Sequence, residues 1–288
     1  MMHPRRSVLY MPGSNTRALD KARSLAADSL IFDLEDAVAP AAKNTARANV
    51  VQTLLQGGYG RRERLVRING LDTEWGALDA AAMAHAGVDG IVMPKVESAA
   101  QIHTLVQLLD AACAPRDLPL WCMMETPRGI LRAEEIAGAS PRVAGLIMGI
   151  SDLAKELGAA PTPTRAPLLT SLGWCLLAAR AHGKVILDGV HLDLDDDAGF
   201  AASCQQGREF GFDGKTLIHP KTIATANAVF APSSADVAWA RRIIAAHAEA
   251  EQAGQGVVLI DGRLIENLHV AAAHRTVRLA DAIEALGR

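Results

Sequence analysis

Short apolar runs alternate along the chain with longer, Ala-rich amphipathic segments, the pattern of βα units around a parallel sheet. The runs are Ser7 to Pro12, Ser29 to Asp33, Arg64 to Asn69, Gly90 to Lys95, Leu118 to Glu125, Val143 to Ile150, Val185 to Asp188 and Gly214 to His219. Between them, helical spacing covers Arg17 to Ala27, Ala41 to Leu55, Glu74 to His85, Ala99 to Cys113 and Leu168 to His182. Eight such units in roughly 230 residues predict an α/β fold of the TIM (β/α)₈ barrel type, whose usual size is about 250 residues. An open doubly wound sheet is the competing arrangement, but no GxGxxG follows an early strand. Past Phe230, Ala-Pro-Ser-Ser signals a helix start. A long helix from about Ala235 to Ala253, a hairpin-like GQGVVLIDGR stretch and a last helix from about His269 to Leu286 follow. The organisation predicted is therefore a barrel over 1–230 and a C-terminal helical extension over 231–288 that serves as a lid, an oligomer contact or a packing extension with no role in chemistry.

Composition narrows the class. Of the 288 residues half are apolar and the formal net charge is −3, which suits a large buried core and gives no basic surface for nucleic acid. Cys113, Cys122, Cys175 and Cys204 lie far apart without CxxC spacing, so neither a zinc cluster nor a disulfide framework is predicted. The N-terminus lacks a long apolar stretch, and no run reaches the 18 or so residues of a membrane span. The expectation is a cytoplasmic protein with neither membrane nor nucleic-acid partners.

In barrels, chemistry gathers where strands end. Two apolar runs end near single acids, LPLWCMME at Glu125 and VAGLIMGISD at Asp152. Carboxylates at adjacent strand ends predict a site for a hard divalent ion such as magnesium, which takes few protein carboxylates and leaves room for substrate oxygens. Asp33, Glu35 and Asp36 stand within four residues and require nearby cations, for which Arg67 and Lys95 are candidates. The alternative for this trio is a turn, with Asp33 capping the loop and Asp36 facing solvent. A guanidinium at Arg67, set among apolar neighbours in RLVRIN, matches a substrate carboxylate as a bidentate fork. Lys95 faces the site or pairs with Glu97 or another acid. His219, before Pro220, is expected to donate to a backbone carbonyl.

Eight motifs in order carry a resemblance: RSVLYMPGS (6–14), DLEDAV (33–38), VRING (66–70), MPKVE (93–97), METPRG (124–129), GISDLAKELG (149–158), AARAHG (178–183) and GFDGKTLIHP (211–220). With them the chain resembles the citrate lyase beta-subunit family, within the larger aldolase and citrate lyase superfamily. The resemblance implies magnesium on Glu125 and Asp152, with waters on the ion held by Glu35 and Asp36. It also implies an Arg67 that grips an oxo-acid carboxylate, and Arg17 and Lys21 placed for coenzyme A phosphates. The activity implied is a magnesium-dependent carbon–carbon lyase that splits a 3-hydroxyacyl-CoA of the citryl-, malyl- or citramalyl-CoA type into acetyl-CoA and an oxo acid. Thioester hydrolysis in the same site, or a non-catalytic CoA-binding or complex subunit, are the alternatives. Relatives that act on free hydroxy-oxo acids carry a histidine base where this chain has Asp36. In the lyases an aspartate of the tail, from a neighbouring subunit, protonates the enolate carbon. Here the tail reads IDGRLIENLHV, with Glu266 at that place and Asp261 as the other acid in reach of the role. A homo-oligomer, trimer or hexamer, is implied.

Overall fold

The computed structural model describes residues 3–252 and 258–287. Eight strands, β1 (Ser7–Pro12), β2 (Ser29–Asp33), β3 (Glu63–Arg67), β4 (Gly90–Met93), β5 (Leu120–Met124), β6 (Val143–Met148), β7 (Val185–Asp188) and β8 (Gly214–Leu217), close into a barrel in sequence order. Every neighbouring pair is parallel, and β1 returns to β8 through Ser7↔Lys215, Val8↔Thr216 and Leu9↔Leu217. Among the described residues ten α-helices accompany these strands between Thr16 and Phe230; those that matter for the site are α1 (Thr16–Ala22), α2 (Lys43–Gln56) and α3 (Ile150–Leu157).

The alternation along each strand sorts its side chains into two cores. Inward-facing residues Val8, Ile31, Leu65, Val92, Trp121, Met123, Ile147 and Leu187 fill the barrel, while the intervening positions, such as Leu9, Leu30, Val66 and Leu146, pack under the helices. Trp121 is the largest fully buried side chain, and Gly145 leaves room for it, because a Cβ there would lie 2.4 Å from the Trp121 ring. Truncating Trp121 to Ala would cost about 3–5 kcal/mol through lost transfer energy and the cavity left behind.

Three predicted strand ends are shorter than their apolar runs. Arg67 closes β3 because Asn69 turns its amide to Leu34 O (2.9 Å) and Asp79 Oδ2 (2.6 Å). Lys95 leaves β4 with a left-handed backbone, φ 48°. Asp152, expected at a strand end, is the third residue of α3, where a carboxylate is favoured by the free N–H groups of the first turn.

The barrel unit spans residues 5–230; the chain's first four residues and 231–288 form a second compact unit as far as they are described. In it α4 (Ser234–Gln252) and α5 (Asn267–Leu286) flank an antiparallel hairpin of β9 (Val258–Ile260) and β10 (Arg263–Ile265), around Ala240, Ile243, Ile260, Ile265 and Ala273. Asp261 and Gly262 make the two-residue turn, both with positive φ (49° and 75°), as a type I′ hairpin requires. The last residue of the predicted long helix, 253, and positions 254–257 of the hairpin-like stretch lie outside the described residues. Among the described residues no helix is long and apolar enough to cross a membrane.

Candidate active site

Strand periodicity that fills the barrel also builds the site, since two residues beyond each inward apolar side chain the next inward position reaches the C-terminal mouth. Val8 is followed by Tyr10, Ile31 by Asp33, Leu65 by Arg67, Met123 by Glu125 and Ile147 by Gly149. Tyr10, Asp33, Arg67, Glu125 and Gly149 line one cavity of about 350 Å³, with Asp36 and Asp152 at its side.

Arg67 is the hub. Its Nε and Nη2 bond Asp33 Oδ1 and Oδ2 at 2.7 and 2.5 Å, and its Nη1 reaches Glu35 Oε2 at 2.8 Å and Asp36 Oδ2 at 3.5 Å. Burial works against the guanidinium, but Asp33 above all holds it charged well above its ordinary range. The bidentate fork expected to meet a substrate is thus engaged by Asp33, because a guanidinium this deep requires a fixed counter-charge. Nη1, besides its pairing with Glu35, lies 3.7 Å from the sulfur of Met123, which also lines the cavity. Asp33 also caps its own loop, accepting from Glu35 N (2.9 Å) and Ala37 N (3.2 Å). Lys43 of α2 secures the same loop by donating to Leu34 O and Glu35 O at 2.9 and 2.7 Å.

Lys95 does not pair with Glu97. Its left-handed backbone turns the ammonium to Glu35 Oε1 (2.5 Å), with Asp152 Oδ2 at 3.8 Å and Asp36 Oδ1 at 3.9 Å. Burial opposes the charge, yet Glu35 raises Lys95 above its usual value. Burial likewise raises Glu35, in spite of Arg67 and Lys95. Glu125, 2% exposed, is pushed by burial up to about 7; its Oε1 accepts from Lys95 N at 2.7 Å. Gly149 opens the space beside that carboxylate, since a Cβ would fall 2.4 Å from Glu125 Oε2.

Five carboxylates (Asp33, Glu35, Asp36, Glu125, Asp152) therefore share the mouth with two cations, Arg67 and Lys95. The donor set is oxygen only and carries excess negative charge, which fits a hard divalent cation such as magnesium. Among the described residues no three His, Cys, Asp or Glu side chains converge into a closed ligand shell. Magnesium does not require one, because it retains waters or substrate oxygens beside one or two carboxylates.

Other sequence-predicted residues fall elsewhere. Arg17 and Lys21 are exposed on α1, whose first turn is capped by Asn15, and neither makes an ion pair among the described residues. His219, expected to donate to a carbonyl, instead accepts from Lys221 N through Nδ1 (3.1 Å), capping a short turn. Glu266 is the exposed N-cap of α5 in the C-terminal unit, its backbone N–H donating to His269 Nδ1 at 3.1 Å, and Asp261 pairs with Arg242 at 2.9 Å. Tyr10 was not singled out by residue chemistry; strand parity from Val8 was the signal that marks it as a mouth residue.

Fold and site together define an α/β-barrel enzyme with an acid-rich, cation-demanding mouth. The chain belongs to the HpcH/HpaI aldolase/citrate lyase family, whose model matches residues 6–220. It is 55% identical to a (3S)-malyl-CoA thioesterase of Cereibacter sphaeroides over 98% of this chain and 97% of that one. With citrate lyase subunit beta of Leuconostoc mesenteroides the identity is 38%, over 96% and 94% of the two chains. Among solved structures it is similar to protein CitE from Mycobacterium tuberculosis in complex with magnesium, acetoacetate and coenzyme A. That likeness has a TM-score of 0.74 and 33% identity, and covers 96% of this chain and 97% of that one.

Proposed function

We propose that this enzyme hydrolyses the coenzyme A thioester of a small 3-hydroxy acid with a second, free carboxylate, of the malyl-CoA type, with magnesium as its cofactor. The full-length 55% identity to a malyl-CoA thioesterase carries the choice of reaction. Support from the site comes from its oxygen donors and from Glu125, which burial leaves ready to bind either a proton or a cation. Glu125 and Asp152 are the ligands in this reading. Magnesium there supplies Lewis-acid polarisation of substrate oxygens. Lys95 and Arg67 hold Glu35 in place, so that the remaining carboxylate, Asp36, is the one free to work on water. Its contacts with cations are long, at 3.5 and 3.9 Å, and its side chain is 58% exposed. Asp36 takes a proton from water as the water oxygen attacks the thioester carbonyl carbon. The C–S bond then breaks, and the proton passes to the departing sulfur, which gives free acid and the CoA thiol. Arg17 and Lys21 meet the CoA phosphates, and the enzyme works as a homo-oligomer.

Carbon–carbon cleavage is the second reading, favoured by the 38% identity to citrate lyase subunit beta. It needs a donor to protonate the enolate carbon, and Glu266 is the candidate in this chain. Thiol and oxo acid followed in parallel during incubation with malyl-CoA separate the two. Magnesium-dependent thiol release without oxo acid is the expected result. Oxo acid without thiol would replace hydrolysis by cleavage, and neither product would remove both.

A further inference from the structure

Almost every polar group at the floor of the cavity is committed. Asp33 is held by Arg67 and two loop N–H groups, Glu35 by Arg67 and Lys95, and Glu125 by Lys95 N. Tyr10 is the exception. Its hydroxyl, on the inward face of β1, meets the thioether of Met123 at 3.7 Å, and a thioether sulfur is a weak acceptor for a phenol. Arg67 Nη1 lies at the same distance, 3.7 Å, from the same sulfur. The phenol and Arg67 Nη1, which carries a second N–H beyond the one paired with Glu35 Oε2 at 2.8 Å, thus converge from different strands beside one poor acceptor, on the wall of a cavity that both residues line. Arg67 Cζ also stacks 5.0 Å from the Tyr10 ring centroid, which fixes the two donors relative to each other. Burial raises the phenol pKa, so the group stays an O–H donor.

We infer that Tyr10 is a substrate-binding residue: its hydroxyl and Arg67 Nη1 together grip the free carboxylate of the acyl acid. This rests on the substrate class proposed above and deepens it, since it replaces the guanidinium fork, engaged by Asp33, with a phenol–guanidinium pair. A carboxylate is the ligand the geometry suits, having two oxygens for two donors on adjoining faces. An acid in which a methyl group replaces that carboxylate leaves the phenol with sulfur as its only partner and gains nothing from it.

The test is calorimetric titration of the whole protein with malate in the presence of magnesium, for the wild type, Tyr10→Phe and Tyr10→Leu. Phenylalanine keeps the ring beside Arg67 and removes only the hydroxyl. Tyr10→Phe is expected to weaken malate binding about 10- to 100-fold, the range for a hydrogen bond to a charged group. Binding of 3-hydroxybutyrate should be the same in Tyr10→Phe and the wild type. A Phe variant that binds malate as the wild type does, with loss confined to Tyr10→Leu, would overturn the inference and reduce Tyr10 to a support for Arg67. A wild type that shows no malate binding would overturn the substrate class itself, an outcome distinct from equal binding by wild type and Tyr10→Phe.

Discussion

Two of the barrel's charge clusters have opposite balance. From the end of β2 to just past β6, five carboxylates share two cations, and the group opens into a cavity. Between β7 and β8, Asp188 alone faces two cations: Lys215 Nζ at 2.7 Å and Arg165 Nη1 at 2.7 and 2.8 Å. Lys215 and Asp188 are both 0% exposed, and the remaining Arg165 donors go to Gln206 Oε1 (2.7 Å) and Ser203 O (3.5 Å). Ion pairing alone does not distinguish a site from a structural pin here; exposure does, since the side chains of Lys95 and Asp36 in the open cluster are 46% and 58% exposed. The closed cluster has a partner for each charge and ties the loop carrying Arg165, at φ 55°, to two strands. The open cluster has two cations, Arg67 and Lys95, for five carboxylates, which leaves negative charge for a bound cation to offset.

The sharpest way to break this contrast is to remove one carboxylate from each cluster. Glu125→Gln keeps the volume and an acceptor for Lys95 N but withdraws a charge the open site needs. Activity should fall by more than about 100-fold, the upper range for outer-shell partners of a metal site. The melting temperature should hold or rise, because a buried carboxylate is costly to keep. Steady-state rates and a thermal melt on the same sample check both halves. A variant that loses stability in step with activity would place Glu125 with the structural charges.

Asp188→Asn should do the reverse, leaving Lys215 and Arg165 buried without their counter-charge. Breaking such a pair costs about 3–5 kcal/mol. A chain of this size should then melt roughly 6–20 °C lower, at about 2–4 °C per kcal/mol. The pH dependence follows from the same group. Burial alone would raise Asp188, but Lys215 and Arg165 pull its pKa below the ordinary carboxylate range. Its folded-state pKa is therefore lower than its unfolded one. The stability it contributes is complete above about pH 4 and is lost as pH falls through the depressed value. Urea midpoints measured from about pH 6 down to pH 3 should drop in the wild type and flatten in Asp188→Asn. Parallel acid limbs in the two proteins would show that the cluster does not set acid stability.

The two clusters also differ in how much of them could be read from the chain. Glu35, Asp36, Glu125 and Lys95 stand at the ends of apolar runs, where a charge interrupts a pattern and announces itself; the order of the eight runs predicted the barrel in the same way. Asp188 also ends its run, VILD, but Lys215 sits inside GKTL, and nothing local says that one strand's acid meets the next strand's lysine. That pairing depends on closing the barrel. Arg67 was legible as an inward charge but not in its partner, because the choice between Asp33 and a ligand is fixed by the register of β2 and β3. Tyr10 was hidden by its chemistry, since a tyrosine among apolar residues reads as core until strand parity places it at the mouth.

Arg17 and Lys21 supply a third condition of charge, exposed and without an ion-pair partner among the described residues, and the smallest effect. Such residues contribute to neither cluster, so a double change to Ala should leave the melting temperature where it was. If they meet phosphates, the apparent KM for a CoA thioester should rise a few-fold, and salt should raise the wild-type KM towards that of the variant, because exposed charges are screened over about 8–10 Å at moderate ionic strength. The comparison needs KM at low and moderate salt for both proteins. A gap that closes with salt marks long-range attraction by exposed cations. A gap that persists would mean that the two side chains are drawn into a desolvated contact once the thioester is bound, and would move them from the surface into the same class as Lys95.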